Sequence, residues 1–145
     1  MPKNLRIPDE SAWYGYEEDL DVRDMHDMFF GKSIDEVQRY FGPGSISRAD
    51  ELLFAPRPVF QYYVHAFGKF LLSSQAVGDS DSASPFLRLL DSREDRDPGS
   101  VRSIYPSLVP YVDFVANNQV YFEADIDIYG DFRELANRIR EKCGV

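Results

Sequence analysis

The sequence predicts a mainly α fold, an irregular multi-helix globular domain around one central apolar helix at about residues 58–77, with at most a small β element. Three observations carry this. Apolar residues recur mostly at three to four positions, the period of a helix face rather than of a strand. One long stretch is apolar around most of its circumference, as a helix in the middle of a bundle must be. Capping residues stand before most of the periodic segments. A chain of 145 residues is one domain's worth of protein. Scaling of surface with mass gives roughly 7,600 Å² folded against roughly 24,000 Å² extended, so a core forms without a metal or disulfide staple.

Taken in order, residues 1–20 hold two prolines, the cluster Trp13-Tyr14-Gly15-Tyr16 and the run Glu17-Glu18-Asp19. They read as an extended arm, aromatic and acidic, packed on the rest of a single domain covering residues 1–145. A first short helix carries Val22, Met25 or His26, and Phe29 at helical spacing. Asp19 or Asp21 caps its start and Gly31 closes it. Ser33 and Glu36 fit a capping box opening a second helix from Ile34 to Phe41, which Gly42-Pro43-Gly44 stops. Ser47 with Asp50 announces a third through Leu52, Leu53 and Phe54. The central helix follows, with Phe60, Tyr63, Phe67, Phe70 and Leu71 on one stripe and Val59, Tyr62, Ala66 and Leu72 widening it. Gln61, His65 and Lys69 inside this run speak against a membrane span, since a mid-helix Lys alone costs about 2.5–3.5 kcal/mol on insertion.

After the loop Gly78-Asp79-Ser80-Asp81-Ser82, Ser82 or Ser84 caps a helix with Pro85 at its first position and Phe86, Leu89 and Leu90 inside. Residues 100–109 fit no element clearly. From Pro110 a further helix places Phe114, Val115, Asn118 and Phe122 on one face, with a strand near 120–122 as the alternative. Asp125-Ile126-Asp127-Ile128 alternates and reads as briefly extended. Asp131 caps a last amphipathic helix with Phe132, Leu135, Ala136 and Ile139 inside and Arg133, Arg138, Arg140 and Lys142 outside.

The net charge is −9, and residues 1–41 carry ten acidic against five basic side chains. Such a field repels phosphate backbones and favours a basic partner. The expected partner is therefore a basic protein, not nucleic acid and not a membrane, and the expected compartment is cytoplasmic because no signal-like apolar run is present. Cys143, the single cysteine, is expected at an exposed helix end as a chance thiol.

No motif survives as a catalytic or cofactor signature, and neither a cofactor nor a metal is called for. Gly31-Lys32-Ser33 ends like a phosphate loop, but His26 stands where that loop needs glycine. Asp125, Asp127, Gly130 and Asp131 match calcium-loop positions, yet Tyr129 and Ala136 replace two of its oxygen ligands. The turn at Ser45 and Ser47 lacks the glycines of a nucleophile elbow, and the helix after it would present Asp50 and Glu51 to a DNA groove. His26 and His65 have no second histidine at ligand spacing. For His65, a hydrogen-bonded core position outweighs a ligand role.

The leading function is a protein-binding module of inhibitor or immunity type, engaging a basic partner through Trp13, Tyr14, Tyr16, Glu17, Glu18, Asp19, Asp21, Asp24 and Asp27. Its logic is electrostatic steering plus aromatic anchors. One alternative is a small-ligand protein or enzyme whose pocket uses Tyr62, Tyr63, His65 and His26 with a carboxylate. The other is a self-associating structural domain, in which the basic last helix of one copy meets the acidic front of another.

Overall fold

The computed structural model describes residues 5–145, and in them the fold is mainly α with no strand. Seven α-helices span Leu20–Phe29 (α1), Ser45–Phe54 (α2), Arg57–Leu72 (α3), Ser80–Arg96 (α4), Tyr105–Ala116 (α5), Ile126–Tyr129 (α6) and Phe132–Lys142 (α7). Successive contacts of α2 with α4, α4 with α7, α7 with α5, α5 with α3 and α3 with α2 close a ring of five helices. The buried apolar residues of these helices form one contiguous cluster with those of the arm, α1 and the loops.

Helix α3 is the most deeply buried member. Val59, Phe60, Tyr62 to Gly68, Phe70 and Leu71 are all enclosed. A narrow line of less enclosed positions remains at Pro58, Gln61 and Lys69, with the buried His65 on the same face. Gln61 Nε2 donates to the Ser100 carbonyl at 2.9 Å, and Lys69 faces Asp35 at 3.5 Å. His65 is covered by α5, because Gly68 one turn on has no side chain. A Cβ there would stand 2.4 Å from the Tyr111 ring. Tyr111 therefore lies flat enough on α3 to bring its hydroxyl 3.0 Å from His65 Nδ1.

Two buried ions organise the end of α4. Arg93 Nη1 donates to the carbonyls of Leu52, Leu53 and Ala55, the unpaired C-terminal acceptors of α2, while Nη2 reaches Asp97. Glu94 accepts from the amides of Gly99, Val101 and Arg102 and so fixes the turn into α5.

Several boundaries differ from the expectation, for local reasons. Of the arm expected over residues 1–20, residues 1–4 lie outside the described residues, and from Glu10 on it is not extended. It folds into two 3-10 turns, Glu10–Trp13 and Tyr16–Glu18, joined by Gly15 at φ 75°. The capping box forms as expected, with Ser33 N–H donating to Glu36 and Glu36 N–H to Ser33 Oγ. No helix 34–41 follows it. The Gln38 side-chain amide donates to the Ile34 and Ala66 carbonyls, and the backbone tightens to a 3-10 turn at Gln38–Tyr40. The central helix ends at Leu72 rather than 77, where the Ser73 hydroxyl donates to the Phe70 carbonyl. Pro85 and Pro110 do not begin their helices but stand sixth in α4 and α5, so the carbonyl each leaves without an amide donor lies in the first turn. Residues 126–129 are a helical turn capped by Asp125, not extended. Cys143 is buried, not exposed, and burial pushes its thiol up to about 11.

Candidate functional site

The acidic front is built by three caps. Asp9 accepts from Ala12 N–H at 3.1 Å and opens the first 3-10 turn, Gly15 reverses the chain, and Asp19 accepts from Val22 N–H at 3.1 Å to start α1. In α1, Val22, Met25 and Phe29 face the core. Asp21, Asp24 and Asp27, spaced by three, therefore share an outer face and are exposed, as are Glu10, Glu17 and Glu18. Asp19 is half-buried by its capping role. Between Glu10 and Asp27 stand seven carboxylates and one arginine, Arg23.

Several cations elsewhere are paired, whereas Lys32, Arg39, Arg88, Arg96, Arg102 and Arg133 have no carboxylate within 4 Å among the described residues. Arg138 and Lys142 meet Asp91, Lys142 also meets Asp95, and Arg140 meets Asp113. Arg57 and Arg93 share Asp97, and Arg48 pairs with Glu51. Among the described residues, no Lys or Arg nitrogen lies within 4 Å of a carboxylate of Glu17, Glu18, Asp21, Asp24 or Asp27. Burial raises the Glu51 carboxyl above its ordinary range despite Arg48, and Asp21 and Asp24 add to that effect from α1. The front thus carries a run of carboxylates without a cation within 4 Å, as do Glu123, Asp125, Asp127, Asp131 and Glu134 around α6 among the described residues.

The aromatics of the arm divide. Trp13 is fully buried, its ring 6.2 Å from Tyr63 and edge-on to His26 at 5.0 Å. As the largest apolar side chain of the arm it is the plug that seats the arm on α1 and α3, so it is not an exposed partner contact. Tyr16 is half-buried and stacked on His26 at 3.9 Å. Tyr14 is 62 % exposed. It stands with Glu18 along one wall of a cleft of about 670 Å³, whose other wall is Phe54, Arg57 and Arg96. The Arg96 guanidinium lies 4.2 Å over the Phe54 ring.

Of the residues of the alternative pocket, Tyr62, Tyr63 and His65 are buried in the core and His26 is half-buried. The Tyr62 hydroxyl accepts from Ile34 N–H at 3.2 Å, and the Tyr63 hydroxyl faces the Phe29 and Lys32 carbonyls at 2.8 and 2.7 Å. Both pin the loop after α1, and burial raises both phenols. His65 is 1 % exposed, and burial lowers it to about 4. His26 packs against the arm and His65 against α5, each in its own cluster. Among the described residues no group of three or more His, Cys, Asp or Glu side chains is arranged to hold a metal ion, and no helix is long and apolar enough to cross a membrane.

Sequence reading missed the cleft wall of Phe54, Arg57 and Arg96. Arg57 and Asp97 are 40 residues apart, and no local pattern joins them. Compared with models of known protein families, with curated proteins and with solved structures, the chain matches none.

Proposed function

We propose that this chain is a cytoplasmic binding module of inhibitor or immunity type, whose acidic face from Glu10 to Asp27 engages a basic protein surface. The observation that carries the reading is the run of unmatched carboxylates at the front. Arg138, Arg140 and Lys142 of α7 and Arg93 of α4 are matched by carboxylates of the same chain, while Glu17, Glu18, Asp21, Asp24 and Asp27 have no Lys or Arg within 4 Å among the described residues. A face of this kind accelerates encounter with an oppositely charged partner and selects against acidic ones. Tyr14 and Leu20, 62 % and 73 % exposed beside these carboxylates, supply apolar contact that charge alone does not.

Self-association through α7 has less support. Three of its four outward cations are already paired, leaving Arg133 without a carboxylate within 4 Å among the described residues. A pocket built on His65, Tyr62 and Tyr63 has none, because those side chains spend their polar atoms inside the core.

The test is recovery of a partner from native lysate at low salt by the wild type and by the triple variant Asp21→Asn, Asp24→Asn, Asp27→Asn. All three positions are exposed, so the variant keeps the fold. The reading predicts a basic protein held by the wild type and lost by the variant. Recovery of no protein, or of the same protein by both, overturns it.

A further inference from the structure

The corner between α5 and α7, with α6 inside it, holds exposed aliphatic side chains on a fixed frame. Phe122, Ala124 and Phe132 anchor it in the core. The Gln119 side chain ties the segment together: its amide donates to the Ala124 and Gly130 carbonyls at 3.0 and 2.8 Å, and its Oε1 accepts from Phe132 N–H at 2.9 Å. Arg88 donates to the Tyr129 carbonyl at 2.9 Å, and the Tyr129 hydroxyl donates to Asp81 at 2.9 Å. Within this frame Val120 is 90 % exposed and Ile126 54 %. Both line a groove of about 360 Å³, together with Tyr121, Asn117 and Arg133. A pinned backbone holds the two side chains in water, so covering them removes apolar surface from solvent at little ordering cost.

The charges around the groove select what covers it. Glu123, Asp125, Asp127, Asp131 and Glu134 have no Lys or Arg within 4 Å among the described residues, and the corner opposes them with Arg88 and Arg133. We propose that this groove is a second docking site, taking a partner segment in which an apolar side chain is flanked by lysine or arginine. The apolar side chain lies between Val120 and Ile126. Its basic neighbours meet Asp125 and Asp127, the exposed carboxylates on either side of Ile126. Arg133 and the exposed Asn117 remain for the carbonyls of the segment. A second copy of the chain fits less well, since a symmetric pairing sets these carboxylates against themselves. No residue of the acidic front takes part, so this site and the proposed function fail separately.

The probes are two end-blocked peptides of equal charge, Lys-Lys-Leu-Lys-Lys and Lys-Lys-Ser-Lys-Lys, titrated into the full chain while amide chemical shifts are followed by NMR. The Leu peptide is expected to shift the amides of Val120, Tyr121 and Ile126 and to bind there about fivefold more tightly than the Ser peptide. The double variant Val120→Ser, Ile126→Ser is expected to bind both peptides alike. Val120→Ser alone, in a turn outside the helices, is expected to reduce the preference to about twofold. Ile128→Ser is the control. Ile128 is 72 % exposed in the same acidic turn but lies outside the groove, so the full preference is expected to persist. Absence of shifts at the groove, equal affinity of the two peptides for the wild type, a preference that survives the double variant, or one lost in Ile128→Ser overturns the proposal. Groove shifts that change with protein concentration alone also overturn it, because the occupant is then a second copy.

Discussion

Arg93 does at one position what several caps do elsewhere, satisfying three C-terminal carbonyls of α2 while its guanidinium lies 4.7 Å over Phe60 and is closed by Asp97. Removing it strands those three acceptors in the interior, while Asp97 keeps Arg57. Arg93→Ala is expected to lower unfolding free energy by about 3–5 kcal/mol in urea denaturation, from the stranded carbonyls. His65 makes a prediction in pH. The unfolded chain takes up the imidazole proton near 6.5, but the folded one not until about 4, because burial first and Lys69 second oppose the charge. Acid therefore favours unfolding. Stability is complete above about 6.5 and falls as pH drops toward 4, by about 3 kcal/mol in all. Thermal or urea unfolding of His65→Gln should show a flatter profile over that window.

At the scale of elements, Gly68 and Tyr111 set how closely α3 and α5 approach. Gly68→Ala drives a methyl into the Tyr111 ring and is expected to cost about 1–3 kcal/mol, read as a lowered denaturation midpoint. This contact could not be read from the sequence, where Gly68 is only a weak helix residue between Phe67 and Lys69. Elements whose signals are local were legible: Asp19 and Asp131 cap as expected, and Phe132, Leu135, Ala136 and Ile139 are the buried face of α7. Those decided by distant partners were not. The capping box at Ser33 formed without its helix because Gln38 found the Ala66 carbonyl on α3, 28 residues away. The alternation of Ile126 and Ile128 suggested an extended segment, but both side chains are exposed and no neighbouring strand exists among the described residues to pair with them.

Across the whole molecule, the excess of carboxylates near the front was visible from composition, but its isolation was not. Asp91 on α4 is 47 and 51 residues from the Arg138 and Lys142 it neutralises, and Asp95 is 47 from Lys142. Only the folded ring of helices shows that three of the four outward cations of α7 are internally matched. Half of the aromatic reading failed for a related reason: Trp13 is the anchor of the arm, while Tyr14 stays at the surface beside Glu18. The face predicted to meet a partner is thus a charged surface fringed by Tyr14 and Leu20, and its effect should appear in the rate of encounter more than in the lifetime of the complex. The decisive measurement is the association rate constant with the recovered partner as a function of ionic strength. A fall of about tenfold or more between ~20 and ~300 mM salt, with the dissociation rate nearly constant and the slope reduced in the Asp21, Asp24, Asp27 triple variant, is the predicted result. An association rate indifferent to salt, or a slope the variant leaves untouched, contradicts the account.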